Sequence, residues 1–238
     1  MEQVQQLSLR LQTIAREVPC ETRLADIGTD HARLPIALVV DGRIKSAVAS
    51  DVNPGPFQTA LRNVAASGLS EQISVRHGNG LHTLTEADDI DTIAIAGMGG
   101  NLITDILTHD KGILKNVESL ILQPNVAADI VRKWLYTKGW QLKAEYVIQE
   151  DERFYEVLTA VKGSPDQAYE NKDWEAALMF GPKLLENKTN TFRTKWQHEL
   201  EHLQRVLEQM NAAHERRDIV SERERLKERI KKIEEVLT

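Results

Sequence analysis

The stretch Ala25-Asp26-Ile27-Gly28-Thr29-Asp30-His31-Ala32 closes an apolar run and opens a polar turn, and its reading decides the fold. Arg23–Ile27 reads as a buried strand, and Leu34–Val40, just beyond the turn, reads as a helix. Further apolar runs recur at Ser46–Asp51, Ile73–His77, Thr92–Ala96 and Ser119–Gln123. Helical patterns lie between them at Pro56–Ser67, Asn101–Leu107 and Ala127–Lys138. Nearly continuous apolar strands are expected where a parallel sheet is covered on both faces. Strand and helix in alternation predict a doubly wound α/β sheet with right-handed crossovers. The last two strand candidates, Leu142–Ile148 and Tyr155–Val161, are separated only by the turn Glu150-Asp151-Glu152-Arg153. With no helix between them they form an antiparallel hairpin at one edge, completing a seven-stranded, mostly parallel Rossmann-like sheet. Ahead of the first strand, Val4, Leu7, Leu11, Ile14 and Ala15 fall at helical spacing and should pack a helix onto the sheet.

The composition changes near Gly163-Ser164-Pro165-Asp166, and a domain boundary is expected there, dividing 1–163 from 164–238. In the second part Trp196, Leu200, Leu203, Leu207 and Met210 are spaced 4, 3, 4, 3. After a polar break at 213–218, Leu226, Ile230, Ile233 and Leu237 are spaced 4, 3, 4. Two such seams predict an antiparallel, coiled-coil-like helical hairpin.

Of 238 residues 41% are hydrophobic, enough for a core, and 28% are charged. No apolar run is long enough to span a bilayer, and Met1-Glu2-Gln3-Val4-Gln5-Gln6 lacks the basic and apolar regions of a signal peptide. Cys20 is the single cysteine, which excludes an intrachain disulfide and a cysteine zinc cluster. These features lead us to expect a cytoplasmic chain with no membrane and no metal partner, and a monomer. The net charge of −6 opposes nucleic-acid binding unless a local basic face exists.

Ligands of a doubly wound sheet bind beyond the carboxyl ends of its strands. A dinucleotide site would need G-x-G-x-x-G after the first strand. Here only Gly28 is present, and Asp30 stands where a phosphate would be repelled. S-adenosylmethionine carries a sulfonium and an ammonium and no phosphate, so carboxylates suit it. Three further strand ends agree. Asp51, with Asn53 two residues on, ends the second strand, where an acid can accept both ribose hydroxyl protons. Gly78-Asn79-Gly80 follows the third, where an amide can bond the adenine amino group. Ala96-Gly97-Met98-Gly99-Gly100 follows the fourth, where glycines let a substrate and the reactive methyl approach bare backbone. Taken singly, each of these strand ends reads equally well as a turn glycine or a helix cap, but all four fall in register.

These strings, with Leu34-Pro35, Ala94-Ile95-Ala96-Gly97-Met98-Gly99-Gly100 and Leu120-Ile121-Leu122-Gln123-Pro124-Asn125, resemble the bacterial tRNA adenine-N1-methyltransferases that act on adenine 22. Trp134-Leu135-Tyr136, Tyr155-Glu156-Val157-Leu158 and the C-terminal hairpin extend the resemblance over nearly the whole chain. It implies a class I methyltransferase fold, S-adenosylmethionine as donor, and methylation of N1 of adenine 22 in the D-arm region of tRNA. It also implies that Asp30 is the catalytic aspartate; by residue type alone Asp30 reads equally as a helix N-cap. Asp26 is expected to orient the amino-acid end of the donor, and His31 to line the pocket. Gln123, Pro124 and Asn125 either read the base edge or form a turn that opens the next helix. Tyr155 either stacks on a flipped base or belongs to the core. Lys183, Lys188, Arg193, Lys195, Arg216 and Arg217 are the candidate tRNA contacts of the appendage. Competing readings are a methyltransferase of another RNA, a protein or a small molecule, and a non-catalytic interaction protein that keeps the fold.

Overall fold

In a computed structural model, residues 7–212 and 217–238 are described, the side chains of 212–220 excepted. Val4 and Arg216 lie outside the described residues, as does the side chain of Arg217. The chain divides into two compact units, residues 1–183 and 184–238.

The first unit is built on a seven-stranded sheet of order β3-β2-β1-β4-β5-β7-β6. Its strands are β1 (Thr22–Ile27), β2 (Ile44–Asp51), β3 (Ile73–His77), β4 (Thr92–Gly99), β5 (Ser119–Val126), β6 (Trp140–Glu150) and β7 (Arg153–Lys162). β1 to β5 are parallel, and β7 runs antiparallel to both β5 and β6. The helices are α1 (Leu9–Glu17), α2 (Arg33–Val40), α3 (Pro54–Ala66), α4 (Gly100–Thr108), α5 (Ala128–Thr137) and α6 (Trp174–Phe180).

The pleat sorts the apolar side chains into two cores. Leu24, Ala94, Ile121 and Val157 point to the face covered by Leu11 and Ile14 of α1, Leu34 and Leu38 of α2, and Ala60 and Val64 of α3. Their neighbours Ala25, Ile93, Leu120 and Leu158 point to the other face, under Ile103 and Leu107 of α4 and Val131 and Leu135 of α5. Strands buried on both sides need apolar residues at every position, which is why the runs are continuous. The sheet order reverses between β1 and β4, so a crevice opens beyond the carboxyl ends of these two strands.

The composition change at 163/164 lies inside this unit, because residues 165–183 remain packed on it. Ala168, Tyr169 and Ala177 join the α4–α5 core. Arg132 of α5, wholly buried, donates Nε to Glu145 Oε1 at 2.6 Å, Nη2 to Glu156, and Nη1 to the Leu178 carbonyl at 3.0 Å. Glu145 in turn accepts the backbone N–H of Lys183 at 2.9 Å. One guanidinium therefore ties α5, both strands of the hairpin and α6, and Glu145 extends the tie to the segment after α6. Composition marks solvated surface, whereas this segment is held by buried charge.

Beyond the short helix α7 (Pro182–Glu186), α8 (Asn190–Ala212) and α9 (Arg217–Leu237) form an antiparallel pair in the second unit. Trp196, Leu200, Leu203, Ile230 and Ile233 are buried along the seam, with Val236 taking the place expected for Leu237. Arg229 Nη2 donates to Glu199 Oε1 across the pair at 2.8 Å. Among the described residues no helix is long and apolar enough to cross a membrane.

Removing one partner of a buried ion pair strands the other charge. Arg132→Met, which leaves Glu145 and Glu156 uncompensated, is expected to lower stability by about 3–5 kcal/mol. The check is the urea midpoint at unchanged transition slope.

Candidate functional site

The turn after β1 is shaped by its neighbours. Gly28, at φ +73°, and Thr29 both donate backbone N–H to the Ser50 carbonyl at the end of β2, at 2.8 and 2.9 Å. A Cβ on Gly28 would lie 2.0 Å from Cε of Met98, so the position requires glycine both by conformation and by space. His31 and Ala32 then take successive left-handed conformations, φ 60° and 58°. Such backbone is strained in non-glycine residues, and it is held by Asn63 Nδ2 donating to the His31 carbonyl at 3.0 Å. Ala32 is the N-cap of α2, with no side-chain capping bond. Asp30 is therefore not a cap. Its side chain is 55% exposed, with Oδ1 3.6 Å from His31 Nδ1.

A cavity of about 300 Å³ opens here, lined in part by Arg10, Asp26, Gly28, Asp30, Asp51 and Gly97. Ala96 also lines it, whereas Asn53, Gly78, Asn79, Gly80, Met98 and Gly99 do not. Asp26 is buried and accepts the Thr29 hydroxyl at 2.5 Å. Burial pushes its carboxyl up to about 6, against that hydrogen bond, with Asp30 and Asp51 adding to the rise and Arg10 opposing it. Asp51 Oδ1 accepts the backbone N–H of Asn53 at 2.7 Å, which is the part Asn53 plays at this strand end.

A second cavity, about 490 Å³, is lined by Arg10, Gly97, Asn125, Arg153, Phe154 and Tyr155. It shares Arg10 and Gly97 with the first. Gly97 is the extra residue of a bulge, since Ala96 pairs with Gln123 and Met98 already pairs with Pro124. Its peptide is caught on both sides: Gln123 Oε1 accepts the Gly97 N–H at 3.0 Å, and Asn125 Nδ2 donates to the Gly97 carbonyl at 2.8 Å. Gln123 Oε1 also accepts Arg10 Nη1 at 2.9 Å, and its Nε2 donates to Asn125 Oδ1 at 3.0 Å. Arg10 lies over the Tyr155 ring, 5.6 Å from its centroid.

Several expectations change in this light. Gln123 is fully buried with its amide engaged, so it holds the wall between the cavities and reads no base edge. Pro124 is buried in β5 and starts no turn. Gly100 is buried, and a Cβ there would lie 2.1 Å from the Ala127 carbonyl, so it serves packing of α4 and not substrate approach. Lys188 Nζ donates to the Val236 carbonyl at 2.7 Å and Arg193 Nη1 to the Leu237 carbonyl at 3.1 Å, so both satisfy the end of α9. Lys195 Nζ lies 4.6 Å from the Trp196 ring centroid. Arg10 was missed. The signal for it was its place beside Leu11, on a helix whose apolar face had to meet the sheet.

A family model described as tRNA (adenine(22)-N(1))-methyltransferase matches residues 24–235. A Bacillus subtilis protein of that same description is 41% identical over 231 residues, 97% of each chain. A Streptococcus pneumoniae crystal structure, described as a putative tRNA (m1A22) methyltransferase in complex with S-adenosyl-L-methionine, superposes with TM-score 0.87 at 42% identity, covering 98% of this chain and 100% of that one. A Mycoplasma capricolum relative in complex with S-adenosyl-homocysteine superposes with TM-score 0.82 at 31% identity, covering 97% of each.

A carboxyl raised by burial favours the neutral acid in the folded state. Its contribution to stability is present below about pH 4 and is lost as pH rises through about 6. Asp26→Asn should therefore stabilise the protein at pH 7.5, by roughly 3 kcal/mol at most, with the difference vanishing near pH 4. Melting curves of the two proteins across this range check it.

Proposed function

The chain belongs to the tRNA (adenine(22)-N(1))-methyltransferase family, and from that premise we propose that it methylates N1 of adenine 22 in tRNA, with S-adenosylmethionine as donor. The observation that carries the reading is a pair of cavities sharing one wall, the first acidic and without a phosphate-binding glycine loop. The residues present fit this donor. Asp26 and Asp51 offer negative charge to a ligand that bears a sulfonium and an ammonium. Asp51, at the end of β2, suits the ribose hydroxyls, and Arg10 suits the carboxylate of the amino-acid end. When bound, the donor supplies an electrophilic methyl group.

Neutral adenine N1 carries its own lone pair, so this chain needs no base to create the nucleophile, and its work is positioning. The target adenine leaves the RNA stack to enter the second cavity, where Tyr155 and Phe154 offer ring faces and Asn125 a polar edge. Gly97, bare of side chain and common to both cavities, is where the two ligands meet. Methylation makes the ring cationic. Asp30 stabilises that charge and accepts the N6 proton afterwards. Its freedom from any capping bond is what supports this assignment.

With labelled donor, unmodified tRNA should become methylated, and the same tRNA carrying guanine at position 22 should not. Methylation of both alike, or of neither, rejects the reading. Asp30→Asn is expected to lower kcat by about 100-fold or more while donor affinity stays within about twofold, measured by calorimetry; full activity in this variant removes Asp30 from the chemistry.

A further inference from the structure

We propose that Arg153 grips the phosphodiester of the target nucleotide, so that the second cavity takes a nucleotide held in RNA and not a base alone. The proposal rests on the functional reading above and assigns a residue that neither the family motifs nor the strand-end pattern singled out.

Arg153 opens β7 directly after the turn Asp151-Glu152, and pairs across the hairpin with Glu150. Asp151 takes a left-handed conformation, φ 54°, which tightens the turn. The residue is exposed and lines the second cavity. Three acids precede it, Glu150, Asp151 and Glu152. Even so, among the described residues its guanidinium makes no ion pair and no side-chain hydrogen bond. The Arg10 and Asn125 side chains of the same cavity are already engaged. Arg10 bonds Gln123 and covers Tyr155, while Asn125 bonds both Gln123 and the Gly97 carbonyl. Of the two guanidiniums in that lining, Arg153 alone keeps its whole fork for a ligand.

The chemistry of the base directs those donors away from it. A guanidinium only donates. The adenine N6 amino group also donates, and N1 must keep its lone pair open to the methyl group. The ring gains positive charge during transfer, which disfavours a second cation against it. A phosphate has none of these conflicts and matches the guanidinium fork in charge and geometry. Extruding a base brings its own phosphates to the mouth of the pocket that receives it. An exposed arginine at that mouth meets them.

The test uses the full chain, unmodified tRNA and the variants Arg153→Ala and Arg153→Lys. Arg153→Ala should raise KM for tRNA about tenfold, with kcat and donor Kd within about twofold. The slope of log KM against log salt should fall by about one, since one phosphate contact is lost. Arg153→Lys should restore the salt slope and only part of the KM, because a point charge replaces a fork. An unchanged KM and salt slope in Arg153→Ala overturns the proposal. So does a loss confined to kcat, which would place Arg153 in the chemical step. Wild-type enzyme inactive on tRNA would overturn the functional reading and this assignment with it; active wild type with an indifferent Arg153→Ala overturns this assignment alone.

Discussion

Gly97 is turned out of the ladder between β4 and β5, and the amides of Gln123 and Asn125 take up both of its orphaned backbone groups. Hydrogen bonds of this kind contribute about 0.5–1.5 kcal/mol each. The bulge is therefore held in place by the opposing strand, which brings Gln123 to it at the same level. Gln123 also binds Arg10, so a single buried side chain fixes α1, the bulge and the strand end relative to one another. Both cavities take their common wall from this network. Displacing it would move the walls of both cavities together, which would suit a reaction that needs two ligands held in line.

The first cavity shows the opposite economy. Its loop carries two consecutive left-handed residues and a carboxyl that burial has pushed up to about 6. Both features cost stability in the empty protein, and neither is needed to close the sheet. Strain and raised acids of this kind gather at functional sites because a ligand relieves them. A cationic donor would hold Asp26 ionised and so recover part of that cost. By contrast, the buried Arg132–Glu145–Glu156 cluster compensates its charges within the protein and is expected to be structural.

How much of this was legible in the sequence differs by kind of residue. The strands could be placed because parallel strands buried on both faces must be apolar throughout, and the hairpin because no helix separates its strands. Asp26, Gly28, Asp30 and Asp51 could be placed because they sit at strand ends next to the reversal of order, where a crevice must form. Gln123 was misjudged. A glutamine at a strand end looks the same in sequence whether it faces a ligand or a bulge, and only the register of β4 against β5 distinguishes them. Gly100 was misjudged for a similar reason, since a glycine that admits a substrate and one that admits a neighbouring carbonyl have the same spelling.

The opening stretch, by itself, determined that a strand ends at Ile27 over an acidic, glycine-poor turn, and local periodicity determined the order of strands and helices. Those properties depend on residues near one another in the chain. Tertiary structure alone decided that Arg10 reaches the site, that Gln123 is spent on a bulge, that Lys188 and Arg193 cap a helix, and that residues 165–183 stay with the sheet. Each of these is a pairing of groups far apart in sequence, and such pairings are selected by burial and hydrogen-bond satisfaction, which exist only once the sheet has formed.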